Sequence, residues 1–223
     1  MIVELGAVTL ERAGGKAMGL ARLVELGLPV PPAVVVPAGA DFDEVDTVVD
    51  RLGEPLAVRS SAVGEDAAER SFAGQFETVL GVDRNGLSAA VAHVRGSTER
   101  ADAYGDAGAI AVVIQREVKA TRAGVAFSRD PVSGVDEVFV ECALGAGDAV
   151  VSGLTTPDRY WVSADRVRAE AVGSTRTLRD DEASEVAELV RAAERGFGRP
   201  VDVEFCFEGR ELWLVQCRPI TTL

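Results

Sequence analysis

The chain has 223 residues, 47% of them hydrophobic, enough to bury a full core in one domain or in two closely joined lobes, and two lobes are expected. A formal net charge of −13 with a pI near 4.6 argues against a nucleic-acid surface, which needs a clustered basic face, so any anion site must be local. Cys142, Cys206 and Cys217 show no C-x-x-C spacing and accompany a single histidine, which speaks against zinc and for buried, inert thiols in a reducing cytoplasm; no stretch approaches the ~20 apolar residues of a membrane span.

Gly14-Gly15-Lys16 introduces Ala17–Leu26, whose Leu20, Leu23, Val24 and Leu26 fit one helix face before Gly27 ends it, so Lys16 stands at a helix start. Leu28-Pro-Val-Pro-Pro32 cannot be helical and feeds the β-branched strand Ala33–Val36. The acidic segment from Asp41 to Asp50 reads as a short helix. Leu56-Ala-Val-Arg59 reads as a strand ending at a Ser-Ser pair, followed by a loop through Gly64 and a hairpin or lid around Phe72 to Val82. Leu87–Val94 reads as helix and Ala109–Ile114 as strand, with Gln115–Val118 extending or leaving it. Gly124–Phe127 and Glu137–Glu141 are further strands, antiparallel across the turn Asp130–Gly134. Asp181–Gly196 carries Ala183, Val186, Ala187, Val190 and Ala193 on one stripe, an amphipathic helix, and Val201–Phe207 with Glu211–Cys217 form a terminal hairpin.

The chemistry concentrates in two places. Arg59-Ser-Ser-Ala-Val-Gly-Glu-Asp66, followed by Ser71-Phe-Ala-Gly-Gln-Phe-Glu-Thr78, sets a fixed cation beside a hydroxyl- and glycine-rich loop, a combination suited to polyphosphate. Asp202-Val-Glu204 and Gln216-Cys-Arg-Pro219 add carboxylates, an amide oxygen and a second guanidinium, so oxygens for magnesium accompany cations for phosphate.

Taken together, Gly14–Lys16, Arg59–Ala62, Ser71–Gln75, Gly124–Pro131, Asp202–Glu204 and Gln216–Thr221 resemble, in order and type, the nucleotide-binding part of pyruvate phosphate dikinase, phosphoenolpyruvate synthase and rifampin phosphotransferase. The resemblance covers nearly the whole chain and implies an α+β ATP-grasp fold, two lobes with mostly antiparallel sheets clamping the nucleotide. It places an N-terminal lobe over residues 1–112, with a phosphate-binding lid over about 59–82, and a C-terminal lobe with the magnesium site over 113–223. Lys16 and Arg59 match the family's phosphate-binding cations, Phe72–Thr78 its flexible glycine loop with Gly74 and Thr78, and Gln115, Glu117 and Val118 the hinge that holds adenine. Glu204 and Gln216 match the Mg2+ ligands, Arg218 a γ-phosphate contact, and Glu141 an acidic position near the ribose.

Relative to the family, the insertion between the Val-Pro-Pro strand and the Arg-Ser-Ser motif is shortened here, and residues 162–178 are compressed. The family continues past its Gln-x-Arg-Pro motif into a swivelling phosphohistidine domain; His93, in an apparent helix without a Thr-His motif, does not match that carrier. The expected activity is therefore phosphoryl transfer from Mg-ATP to a small molecule, bound over Gly145–Asp148 and Ser152-Gly153, with Asp148 or Asp202 as base. The alternatives are phosphorylation of a histidine on a separate protein and a non-catalytic ATP-binding module. Dimerisation over surface left without companion domains is a further expectation.

Overall fold

The computed structural model describes residues 1–62, 78–96, 110–145 and 156–220. These fall into two compact units, Met1–Val24 with Pro31–Glu117, and Glu25–Val30 with Val118–Leu223.

The first unit is built on a five-stranded sheet ordered β1 (Val3–Glu4), β2 (Ala33–Val36), β5 (Ala111–Arg116), β3 (Leu56–Ser61) and β4 (Thr78–Val82), with every neighbouring pair antiparallel. Because side chains alternate along a strand, the sheet has two distinct faces. Val34, Val36, Leu56, Val58, Val112 and Ile114 share one face and close a core with α2 (Val45–Leu52) and α3 (Leu87–Gly96). Burying each such aliphatic side chain contributes about 1.5–3 kcal/mol, the main driving term for this layer. Arg59, Ser61 and Gln115 point to the opposite face, as does Thr78, the cross-strand partner of Arg59.

The helix α1 (Leu10–Glu25) is broken at Gly14, whose φ of 74° is left-handed, so its regular part begins at the expected Gly15-Lys16 step. The compact units divide after Glu117. The physical reason is β5, which pairs with β2 and β3 through Gln115 and Arg116 and so stays with the first sheet.

The second unit carries a six-stranded sheet ordered β11 (Glu211–Pro219), β10 (Val201–Glu208), β6 (Arg122–Phe127), β7 (Val138–Leu144), β8 (Asp158–Val162) and β9 (Val167–Glu170), again wholly antiparallel. Val203, Phe205, Phe207, Ala126, Val140, Cys142 and Tyr160 are buried on one face, against which α4 (Asp180–Phe197) packs the stripe Ala183, Val186, Ala187, Val190 and Ala193. Gly198 closes α4 in the left-handed conformation, its N–H donating to the Glu194 carbonyl at 2.8 Å. Pro29 accepts from the Leu214 N–H at 2.8 Å, which is why the short Glu25–Val30 segment belongs to this unit. The hairpin β8–β9 has no counterpart in the sequence reading, because Asp158, Arg159, Arg168 and Glu170 interrupt its apolar alternation.

Candidate functional site

The second face of the six-stranded sheet is only partly covered, and the register arranges it in transverse rows. One row runs Gln216, Glu204, Val125, Glu141, Arg159, Glu170 from β11 to β9, and the next runs Arg218, Asp202, Phe127, Phe139, Trp161, Arg168. Four residues singled out from the sequence, Glu204, Gln216, Arg218 and Glu141, therefore share one face. Glu204 stands directly opposite Gln216, and Asp202 opposite Arg218.

A β-bulge makes this arrangement possible. Phe205 pairs with Leu214 but Glu204 pairs with Gln216, so Val215 is an extra residue on β11. The extra residue inverts the side-chain alternation, keeping Leu212 and Leu214 in the core while turning Gln216 and Arg218 to the other face. On β10 no inversion is needed, since Val201, Val203, Phe205 and Phe207 alternate regularly with Asp202 and Glu204.

The electrostatics of the two rows are paired. Arg218 Nε donates to both Asp202 oxygens, at 2.8 and 3.1 Å, with the Asp202 side chain nearly buried and Arg218 half exposed. Glu141 accepts from Arg159 Nε at 3.0 Å. The rings of Phe127, Phe139 and Trp161 follow one another at 6.1 and 5.2 Å, and the Arg168 guanidinium lies 3.6 Å over Trp161. Arg159 and this aromatic row were not singled out from the sequence; the alternation of Arg159 with Trp161, and of Phe139 with Glu141, is the signal that places them on the face.

The Gly124–Pro131 motif acquires a structural account. A Cβ on Gly124 would lie 1.9 Å from the Glu141 carbonyl oxygen and 2.9 Å from the Phe205 ring, so only glycine lets β6 run this close to β7. Ser128, fully buried, receives the Val201 N–H on Oγ at 2.9 Å and sends its own N–H to the Val201 carbonyl at 2.8 Å, fastening β6 to β10 just before Asp202. Asp130 accepts from the Val132 and Ser133 N–H groups and from the Trp161 indole at 3.1 Å. Burial pushes the Asp130 carboxyl up, and these hydrogen bonds outweigh it, leaving the group below its ordinary value.

In the first unit, Arg59 lies between Thr78 on β4 and Val113 on β5, half-buried. Lys16 occupies the first turn after Gly14, which packs on the end of β3: Gly15 N–H donates to the Ala62 carbonyl at 2.9 Å and Ala17 N–H to Ser61 Oγ at 3.1 Å. Gln115 is buried, with Nε2 donating to the Pro31 carbonyl at 3.3 Å. Glu117 sends its N–H to the Pro55 carbonyl at 3.0 Å, and its carboxylate accepts from the Gly81 N–H on β4. In the second unit, the Val118 carbonyl accepts from Ala120 N–H at 2.8 Å. Gly74, most of the glycine loop, Asp148 and the Ser152-Gly153 stretch lie outside the described residues.

Among the described residues no group of three or more His, Cys, Asp or Glu side chains is gathered for a metal ion. A hard cation is nevertheless compatible with the Glu204–Gln216 pair, a carboxylate and an amide oxygen on facing positions, if further oxygens come from elsewhere. All three cysteines are free and buried, and burial pushes the Cys142 thiol up to about 12, in keeping with an inert thiol. No helix among the described residues is long and apolar enough to cross a membrane.

The model of the pyruvate phosphate dikinase AMP/ATP-binding domain matches residues 41–176 and 165–223. A probable phosphoenolpyruvate synthase of Methanocaldococcus jannaschii is 30% identical over 99% of this chain and 26% of its own length, and a rifampicin phosphotransferase of Streptomyces sviceus is 37% identical over 78% of this chain and 24% of its own. The chain thus spans about a quarter of the length of these relatives. The first alignment extends over 314 positions against a chain of 223 residues, as expected of a trimmed member. Among solved structures, N5-carboxyaminoimidazole ribonucleotide synthetase in its ADP complex superposes with a TM-score of 0.59 at 11% identity, over 94% of this chain and 45% of that one. The chain belongs to the pyruvate phosphate dikinase AMP/ATP-binding domain family, and its fold is ATP-grasp.

Proposed function

We propose that this protein binds Mg-ATP and transfers a phosphoryl group to a small-molecule acceptor. The observation that carries the reading is the juxtaposition of Glu204 with Gln216 and of Asp202 with Arg218 on adjacent rows of one partly open sheet face. An oxygen-donor pair beside a fixed guanidinium suits a metal-bound polyphosphate better than a surface ion pair, since Arg218 is held at Nε by a nearly buried carboxylate.

In this reading Glu204 and Gln216 hold Mg2+, which when bound neutralises charge on the phosphate oxygens. Arg218, Lys16 and Arg59 orient the phosphates and oppose the negative charge that grows on the transferred group. Gly74 and Thr78 belong to the loop over the phosphates, and Glu141 addresses the ribose hydroxyls. The base is read by the main chain around Gln115, Glu117 and Val118. Because the Glu117 N–H is engaged by Pro55, the donor and acceptor for the purine edge fall to the Val118 N–H and the Glu117 carbonyl. Asp202, committed to Arg218, serves to hold that cation rather than to take a proton from the acceptor.

Titration of the purified protein with ATP and MgCl2 by calorimetry tests the nucleotide assignment. Binding by the wild type and loss of its magnesium dependence in Glu204→Ala/Gln216→Ala are expected. Phosphorus NMR with fractionated cell extract then tests the acceptor. Turnover dependent on the small-molecule pool supports the metabolite kinase. Turnover dependent on the protein pool replaces it with a phosphohistidine partner, and binding without turnover in either pool replaces it with an ATP-binding module.

A further inference from the structure

We infer that Ser61 is a positioning residue that fixes Lys16 relative to Arg59, an assignment that rests on the reading of both cations as phosphate ligands. Ser61 is fully buried at the end of β3, two residues beyond Arg59 and on the same face of the sheet. Its Oγ accepts the Ala17 N–H at 3.1 Å, and the next residue, Ala62, accepts the Gly15 N–H at 2.9 Å. Gly15 and Ala17 are the chain neighbours of Lys16, so the two bonds bracket the lysine.

The start of a helix carries N–H groups with no intrahelical acceptor. Here the end of a strand 44 residues away along the chain supplies acceptors for two of them, one from a side chain and one from the backbone. These donors are spent inside the protein, so recognition of an anion by this helix start rests on the Lys16 side chain rather than on those amides. Gly14 makes the approach feasible: a Cβ there would lie 2.4 Å from the Ser61 carbonyl oxygen and 2.7 Å from its Oγ, besides requiring a left-handed backbone.

Arg59 is carried by the strand and Lys16 by the helix, and the Ser61 side chain joins these two carriers. Ser61→Ala leaves the backbone contact through Ala62 in place but leaves the Ala17 N–H buried without its acceptor. The helix start then loses its fixed placement against β3. Because AMP lacks the transferred phosphoryl group whose charge Lys16 and Arg59 are proposed to oppose, the loss falls on ATP and spares AMP.

The test is calorimetric titration of ATP and of AMP into the wild type, Ser61→Ala and Val48→Ala, with melting temperatures for each. Val48 is buried in the core on the other face of the sheet and serves as a stability control. Ser61→Ala is expected to weaken ATP roughly tenfold while AMP changes by less than about twofold, a misplacement effect. Val48→Ala is expected to lower the melting temperature with both affinities unchanged. Ser61→Cys, of similar volume but a poor acceptor, provides the same readout if Ser61→Ala does not fold. An unchanged ratio of ATP to AMP affinity in a folded Ser61 variant overturns the inference alone. A wild type that binds neither nucleotide overturns the phosphate reading and the inference with it.

Discussion

The Arg218 guanidinium is gripped at its Nε by both oxygens of Asp202, at 2.8 and 3.1 Å, directly across the β10–β11 ladder. The grip fixes the plane of the guanidinium and hence the direction of its terminal nitrogens. Arg218→Ala is expected to abolish phosphoryl transfer while changing stability by no more than about 1–2 kcal/mol, since half of the arginine side chain is in solvent. Arg218→Lys should not restore transfer, because an ammonium cannot present the same planar fork. Thermal melts alongside phosphorus NMR check both statements, and normal turnover in the alanine variant would remove Arg218 from the phosphate site.

Gly124→Ala is predicted to destabilise the second unit severely, by at least about 3 kcal/mol. The added methyl would lie 1.9 Å from a backbone oxygen on the neighbouring strand and 2.9 Å from Phe205, and the backbone contact cannot be relieved by turning a side chain. Chemical denaturation measures the effect. A variant of wild-type stability would mean that β6 and β7 can separate without loss.

Acid should weaken the second unit through Glu182. Burial raises its carboxyl, but hydrogen bonds from the Arg122 guanidinium and the Arg179 N–H, with the charges of both arginines, outweigh burial and leave it below its ordinary value. A carboxyl depressed on folding contributes stability that is fully present above its unfolded value of about 4.3 and is lost as pH falls through the lower folded value. Glu182→Gln should therefore flatten the decline of melting temperature below about pH 4. It should also cost about 3 kcal/mol at neutral pH, because Arg122 keeps its carbonyl acceptors on Thr177 and Gly209 but loses its counter-charge in a site where both side chains are largely buried. Melts from pH 3 to 7 on both proteins decide the matter; an equally steep acid decline in the variant would assign the effect to other groups, with Asp158 the first to examine.

Much of the fold was legible because burial and alternation agree along the chain. Ala33–Val36, Gly124–Phe127 and the terminal hairpin all carry the apolar spacing of their elements, and the helix of Asp180–Phe197 shows its buried stripe in sequence. What escaped reading depends on contacts between distant residues. Leu212, Leu214, Gln216 and Arg218 are spaced at i+2 and would share one face of a regular strand; the extra residue Val215 divides them, and nothing local marks it as a bulge. Asp158 looks like a surface charge at the head of a strand. It is buried, accepting from the Val172 N–H, from the Thr177 N–H and hydroxyl, and from Tyr160, so β8 was hidden behind a polar group satisfied from 14 and 19 residues away. At the candidate site, a regular hairpin would set Glu204 opposite Val215, so its pairing with Gln216 depends on the same bulge and only the family resemblance joined the two; the Ser61 contact with Ala17 spans 44 residues and has no periodic signature.

The three cysteines carry a practical consequence. Cys142, Cys206 and Cys217 are unoxidised, buried and confined to the second unit, on β7, β10 and β11. The first unit contains no thiol. Alkylating reagents added to the native protein therefore report the opening of the six-stranded sheet alone, strand by strand when the labelled peptides are separated, with the five-stranded sheet silent. The chain thus carries an intrinsic, unit-specific clock for local unfolding, and protection of these thiols by a nucleotide would register binding without any engineered probe.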